Sequence, residues 1–240
     1  MVKNTVKACV SAYRDYSGPG RKIIYHSRYK YADRLKHHED VVSSLAAGKK
    51  GGVVVFTTQV AEMSLDISVD LLVTDIAPVS SLIQRLGRLN RHGLEKAKPF
   101  IVVGAPALVY SEGDLKAAWA WVERLKGEVS QRDLQAAVGC DEAEVLTPRC
   151  HIFESEPSDT VPTQFRSNDT PTISVVLEHD AAKMKHMVWC DRARARTNCS
   201  IPMVLADKVK EILKLLPKEG YLPIVGTDII YSEETGAEWA

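Results

Sequence analysis

The chain has 240 residues, 45% hydrophobic and 26% charged, with 31 Lys and Arg balancing 31 Asp and Glu. That composition can bury a core and excludes a disordered chain; the zero formal charge excludes a polybasic mat, so affinity for an anion has to come from local patches. The longest apolar runs, such as GGVVVF and FIVVGAPALVY, fall short of the ~20 residues that span a bilayer, and MVKNTVKACV lacks a signal-peptide core, so a soluble, cytoplasmic protein is expected.

NTVKACVSAYRDY opens as a helix, with Asn4 or Thr5 as its cap. KIIYHS (22–27) reads as a strand, and YKYADRLKHHEDVVSSLAAGKK as a helix closed by glycine and lysines. GVVVFTT (52–58), DLLVTDIAP (70–78) and PFIVVGAP (99–106) repeat the first strand's texture. These runs are continuous rather than alternating, as for strands buried on both faces. Between the last two lies QRLGRLNRHG (84–93), a helix entered through Pro78, Ser80 and Ser81. Strand–helix alternation predicts an α/β domain with a mostly parallel sheet. The loops leaving the strands' carboxyl ends, HSR (26–28), TTQVAEMSLD (57–66) and the run into SSLIQR, should gather along one edge and collect ligands.

Past residue 106 the texture changes. GDLKAAWAWVERLKGEVSQRDLQAAVG (113–139) reads as two helices and the proline-dotted FESEPSDTVPTQFRSNDTPT (153–172) as a long connection. TISVVLEH (172–179) is expected as a strand, WCDRARARTNCS (189–200) as a solvated basic loop with nucleic-acid contact as the alternative, LADKVKEILKLL (205–216) as a helix, and EETG as a tight turn. The expected division is a lobe over 1–110, a helical linker over 111–155 and a small accessory region over 156–240. Cys9, Cys140, Cys150, Cys190 and Cys199 show no CxxC spacing, and neither His37-His38 nor Cys150-His151 has a second ligand pair, so reduced thiols and no metal site are expected.

QRLGRLNRHG carries three arginines and no acid. Wound at about 100° per residue, it sets Gln84, Gly87, Arg88 and Arg91 on one face and Leu82, Leu86 and Leu89 on the other. The glycine leaves the polar face low, so a large anion can approach; the bland alternative is a solvated basic face. Arg85 points off that face and reads as structural.

VVVFTTQVAEMSLDISVDLLVTDIAPVSSLIQRLGRLNRHG (53–93) resembles motifs V and VI of superfamily 2 helicases, in their order and spacing. Its QVxExSLDI core and QRxGRxxRHG end are similar to the CRISPR-associated helicase–nuclease of type I systems, which unwinds and degrades DNA handed over by the Cascade surveillance complex. NTV (4–6) resembles that family's motif IV region, and YHSRYKYADR (25–34) its HSR segment; the likeness covers roughly residues 4–105. It implies a RecA-like second motor lobe, with ATP held between two lobes and Mg²⁺ held by the first. Nothing here resembles the first lobe: there is no GxxxxGK[ST] loop, no DExH strand end and no HD nuclease. The strand that should precede NTV is also expected to be missing, since only three residues lie ahead of it. The chain thus reads as a second lobe plus tail, inactive without its partner lobe.

By this resemblance Arg88 and Arg91 are arginine fingers for the γ-phosphate, and Gln84 orients the attacking water or touches the γ-phosphate. Gly87 belongs to the nucleotide site. Asp66 meets the ribose, with a structural salt bridge as the alternative. Thr58 with Thr57, and Asn4, Thr5, Ser27 and Arg28, would grip phosphates of single-stranded DNA without reading bases. His26 is either a contact or a buried histidine bonded to its loop. Glu62, of the wrong sign for phosphate, should pair with a basic group and hold its loop. The implied partners are single-stranded DNA, helicase lobe 1 and Cascade. Two alternatives stay open: a truncated, non-catalytic homologue acting as an interaction or competitor protein, or a lobe of another superfamily 2 ATPase.

Overall fold

The computed structural model describes residues 1–46, 51–63, 66–91, 97–125, 127–136, 172–204, 224–226 and 229–239. Four parallel strands form its main sheet: β1 (Arg21–Tyr25) pairs with β2 (Val53–Thr57), and β3 (Leu72–Asp75) with β4 (Phe100–Val103). Val2 joins the two pairs by bridging Thr57 and Thr74 in parallel. Val2 N–H donates to Val73 O, Lys3 N–H to Thr57 O, and Asp75 N–H to Val2 O, at 2.8–2.9 Å. The three residues ahead of Asn4 therefore occupy the strand position expected to be missing. Extended backbone with a β-branched centre is sufficient to satisfy both neighbouring ladders.

Helices cover both faces. α1 (Val6–Asp15), capped by Thr5, lays Cys9, Val10 and Tyr13 on Ile24 and Phe56. On the opposite pleat, Ile23, Tyr25 and Val55 meet Val41 of α2 (Tyr31–Ser44) and Ala61 of α3 (Val60–Met63). α4 (Val79–Leu86) buries Leu82 and Leu86 against Val2, Leu72 and Ile76. Into the same cluster pack Leu115, Ala118 and Trp121 of α5 (Glu112–Arg124) and Leu134 of α6 (Gln131–Ala136). Serines cap both: Ser111 Oγ accepts Asp114 N–H, and Ser130 Oγ accepts Asp133 N–H.

β4 departs from the expectation of burial on both faces. Its exposure alternates, leaving Ile101 50% and Val103 39% accessible, whereas α1 packs on β1 and β2. The expected helix over 205–216, the connection over 153–171 and the Cys150-His151 pair lie outside the described residues.

In the tail, β5 (Thr172–Leu177) pairs antiparallel with β6 (Ile201–Val204) and parallel with β7 (Ile224–Gly226). α7 (Glu178–Met184) and α8 (Trp189–Cys199) fill the connection. The Arg-Ala stretch expected as a loop is thus a helix: both residue types favour helix, and Ala195 and Cys199 pack against Val176 and Met184. β8 (Ile229–Ser232) and β9 (Gly236–Trp239) form a hairpin around the EETG turn. Among the described residues no helix is long and apolar enough to cross a membrane.

Candidate nucleotide and nucleic-acid site

Parallel pairing brings the exits of the strands to one edge. Tyr25 is level with Thr57, and Val2 bridges Thr57 and Thr74, so the segments around His26, Thr58, Asn4 and Ile76 lie side by side. Gln59 Nε2 donates to Asn4 O at 2.8 Å, tying the start of motif V to the motif IV region.

The expected nucleic-acid residues gather here but differ in how far they are already engaged. Thr57 and Thr58 are buried at the end of β2. Thr5 Oγ1 accepts the Ala8 N–H at 3.1 Å as the α1 cap. Asn4 is 6% exposed; its Nδ2 donates to Ile76 O at 2.7 Å and its Oδ1 accepts from Arg85. Ser27 and Arg28 are half-buried in the loop after β1. Burial lowers the Arg28 pKa, opposed by Glu238. His26 proves to be a buried histidine bonded to its loop: Nδ1 accepts Arg28 N–H at 3.1 Å, and Nε2 donates to Thr235 O at 3.1 Å.

Arg85 and Glu62 form a brace behind these loops. Arg85, 1% exposed, donates from its side chain to Glu62 Oε1, Thr74 Oγ1, Asp75 O and Asn4 Oδ1 within 3.1 Å. A second nitrogen lies 2.9 Å from Glu62 Oε1. Glu62 also accepts Ser81 Oγ at 3.3 Å, so the glutamate has the basic partner that its charge demanded.

Motif VI is less helical than its pattern. α4 ends at Leu86 with Gly87 as C-cap, and residues 87–91 turn away. The cause is tertiary: Leu89 bridges Val69, Val69 N–H donates to Arg88 O, and Asn90 N–H donates to Val69 O. Asn90 takes φ 48°, in the left-handed region that asparagine tolerates. α4 therefore runs back from the exit of β3 to the segment preceding it, and Arg88 and Arg91 sit at that end rather than on the strand-exit edge. Gln84 is exposed and Arg88 half-buried. Arg88 donates to Ala61 O at 3.1 Å and Glu62 O at 2.6 Å. Arg91 Nε lies 2.9 Å from Asp66 Oδ1, with side chains 37% and 75% exposed. At Gly87, with φ −63°, an added Cβ would stand 3.4 Å from Gln84 O and Ile83 O.

The structure thus pairs Arg91 with Asp66, seats Arg88 on the α3 carbonyls, and gathers the threonines, Asn4, Thr5, Ser27 and Arg28 along the strand-exit edge. Sequence reasoning missed the hairpin residues Glu233–Ala237, which cover the loop after β1. Their only sequence signal was the turn itself.

The parallel strands and the helices packed on them define an α/β lobe. Residues 1–94 match the family model described as CRISPR-associated nuclease/helicase Cas3, C-terminal. A CRISPR-associated nuclease/helicase Cas3 of Myxococcus xanthus is 38% identical over 249 aligned positions, which take in 99% of this chain and 32% of the relative. The T. fusca Cas3-ATP crystal structure superposes with a TM-score of 0.73 at 18% identity, covering 99% of this chain and 38% of that one. A chain of a CRISPR RNA-guided surveillance complex, pre-nicking, gives a TM-score of 0.63 at 15% identity, over 99% of this chain and 40% of that one. These matches make the chain similar to the C-terminal region of Cas3 helicase–nucleases, and it spans about a third of the Myxococcus relative's length.

Proposed function

We propose that the chain supplies the second motor lobe of an ATP-dependent single-stranded DNA translocase in CRISPR interference. The observation that carries this reading is the span of motif V. Its threonines adjoin the strand-exit loops, its α3 carbonyls hold Arg88, and Asp66 at its far end pairs with Arg91. One short segment thus touches both candidate surfaces, as coupling of nucleotide to grip requires.

The residues fit a nucleotide. Two guanidiniums, an exposed glutamine and a largely exposed carboxylate make a donor–acceptor set suited to phosphate oxygens and a ribose hydroxyl. ATP bound there, with Mg²⁺ on a first lobe, supplies the phosphoanhydride whose hydrolysis drives stepping. Arg88 and Arg91 exchange carbonyl and carboxylate partners for γ-phosphate oxygens as the cleft closes; such fingers are worth roughly 10³–10⁵ in rate. Gln84 orients the attacking water, and Gly87 keeps the approach open. Asp66, released by Arg91, accepts from the ribose. Thr57, Thr58, Thr5, Ser27 and Arg28 grip phosphates, while Asn4, already bonded on both sides of its amide, holds the edge beneath them. Joined to a first lobe and delivered DNA by Cascade, the lobe takes part in ATP hydrolysis; by itself it does not hydrolyse ATP.

The test is a split of roles in the lobe joined to a first lobe. Thr58→Ala should weaken single-stranded DNA binding more than Arg88→Ala does, and Arg88→Ala should lower kcat for ATP with DNA affinity nearly unchanged. Equal effects of both variants on both readouts would sink the assignment.

A further inference from the structure

The turn of the C-terminal hairpin meets three rings in step. His37 Nε2, Tyr29 Oη and His26 Nε2 donate to the carbonyl oxygens of Glu233, Glu234 and Thr235 at 2.7, 2.7 and 3.1 Å. The rings form a ladder, with His26 stacked on Tyr29 at 4.6 Å between centroids and Tyr29 tilted on His37 at 4.2 Å. Three consecutive carbonyls thus find three donors from one stack.

Arg28 is held through both of its backbone groups. Its N–H donates to His26 Nδ1, and the other nitrogen of that ring donates to Thr235 O. A neutral histidine carrying its proton on Nε2 satisfies both bonds. The Arg28 carbonyl accepts Ala237 N–H directly at 2.8 Å. Gly236 takes φ +74°, and a Cβ there would stand 2.5 Å from Arg28 O and 2.7 Å from His26 Cε1, so this approach admits glycine alone. Flanking side chains complete the seat: Tyr13 Oη donates to Glu234 Oε1 at 2.7 Å, and Tyr231 Oη accepts Lys30 N–H at 3.3 Å.

We propose that the Glu233–Ala237 turn is a positioning element for nucleic-acid binding, holding Ser27 and Arg28 in the conformation that grips a backbone phosphate. The inference rests on the reading of that loop as a strand contact. A free loop would pay the cost of ordering each time it met a phosphate; this one is ordered in advance by contacts from the far end of the chain. His26, Tyr29 and Gly236 act through the loop and are positioning residues.

The experiment uses the whole chain, wild type and with Tyr29→Phe, Gly236→Ala or Arg28→Gln. Tyr29→Phe keeps the ring stack and removes one hydroxyl, so it is the milder cut. Amide hydrogen exchange follows residues 26–30 and 231–237, and fluorescence anisotropy follows a labelled oligothymidine across a salt series. Tyr29→Phe and Gly236→Ala should speed exchange in both segments and lower affinity by roughly threefold to tenfold. They should also reduce the slope of log affinity against log salt by ~0.7, the value of one lost phosphate contact on a single strand. Arg28→Gln should reduce the slope equally, and adding it to Gly236→Ala should reduce it no further. A purely structural role leaves the slope alone, so faster exchange with an unchanged slope overturns the proposal while the motor-lobe reading stands. Unchanged exchange in the loop also overturns it. A wild-type chain with no salt-dependent binding overturns the functional reading and the positioning role together, while exchange still reports the contact.

Discussion

Arg85 keeps a charge inside the lobe only because each side of its guanidinium meets an acceptor. Removing it strands Glu62, Asn4 and Thr74 at once. Arg85→Ala should therefore cost about 3–5 kcal/mol in urea unfolding, and a loss under about 1 kcal/mol would contradict the brace. The sequence told Arg85 from Arg88 by helical phase alone, and Glu62 by its sign. It could not show that Asn4 is their third partner, because the contact spans a sequence separation of 81. His26 offers a second residue-scale test. Burial, helped by Arg28 and His37 and opposed by the Thr235 carbonyl, pushes its pKa down to about 3. The folded state then stays neutral where the unfolded chain takes up a proton. Its contribution is therefore complete above the unfolded pKa of about 6.5 and is lost as pH falls toward the folded value. Between about pH 7.5 and about pH 5.5 the wild type should lose about 1.4 kcal/mol more than His26→Gln, read by denaturation at both pH values. Equal losses would mean that the ring is protonated in place.

At the scale of elements, α4 shows where local pattern stops informing. Its apolar face is Leu82 and Leu86, as phase predicts, yet the helix ends before Arg88 because Leu89 pairs with Val69. No helical periodicity contains that pairing. Gly87 has an α conformation and ordinary room for a methyl group, so Gly87→Ala should change stability by less than about 0.5 kcal/mol. If the glycine serves close approach of a nucleotide, the same variant should raise KM for ATP in the joined motor. A large stability loss would instead make Gly87 a packing residue. Thr5→Ala should cost about 1 kcal/mol through the lost α1 cap, seen as a lower urea midpoint. α8 was misread for a related reason: alternation of Arg with Ala looked like a solvated tract, although both residues favour helix and the packing partners lie on α7 and β5.

Across the whole molecule, the four strands and the helices α2 and α4 were legible because each is a contiguous run with its own period, whereas α3 fell inside the stretch expected as a loop over 57–66. The hairpin seated over His26 was not, since that contact joins residues 209 apart and depends on one glycine and one ring stack. Whether this lobe supplies the arginines of a two-lobe motor is decided by mixing the chain with a separately made first lobe and following DNA-stimulated ATP hydrolysis, with each part alone and Arg88→Ala as controls. Hydrolysis should appear only in the mixture and fall by roughly 10³-fold or more with Arg88→Ala. Lobes that demonstrably associate yet stay silent, or a mixture indifferent to Arg88→Ala, would contradict the account.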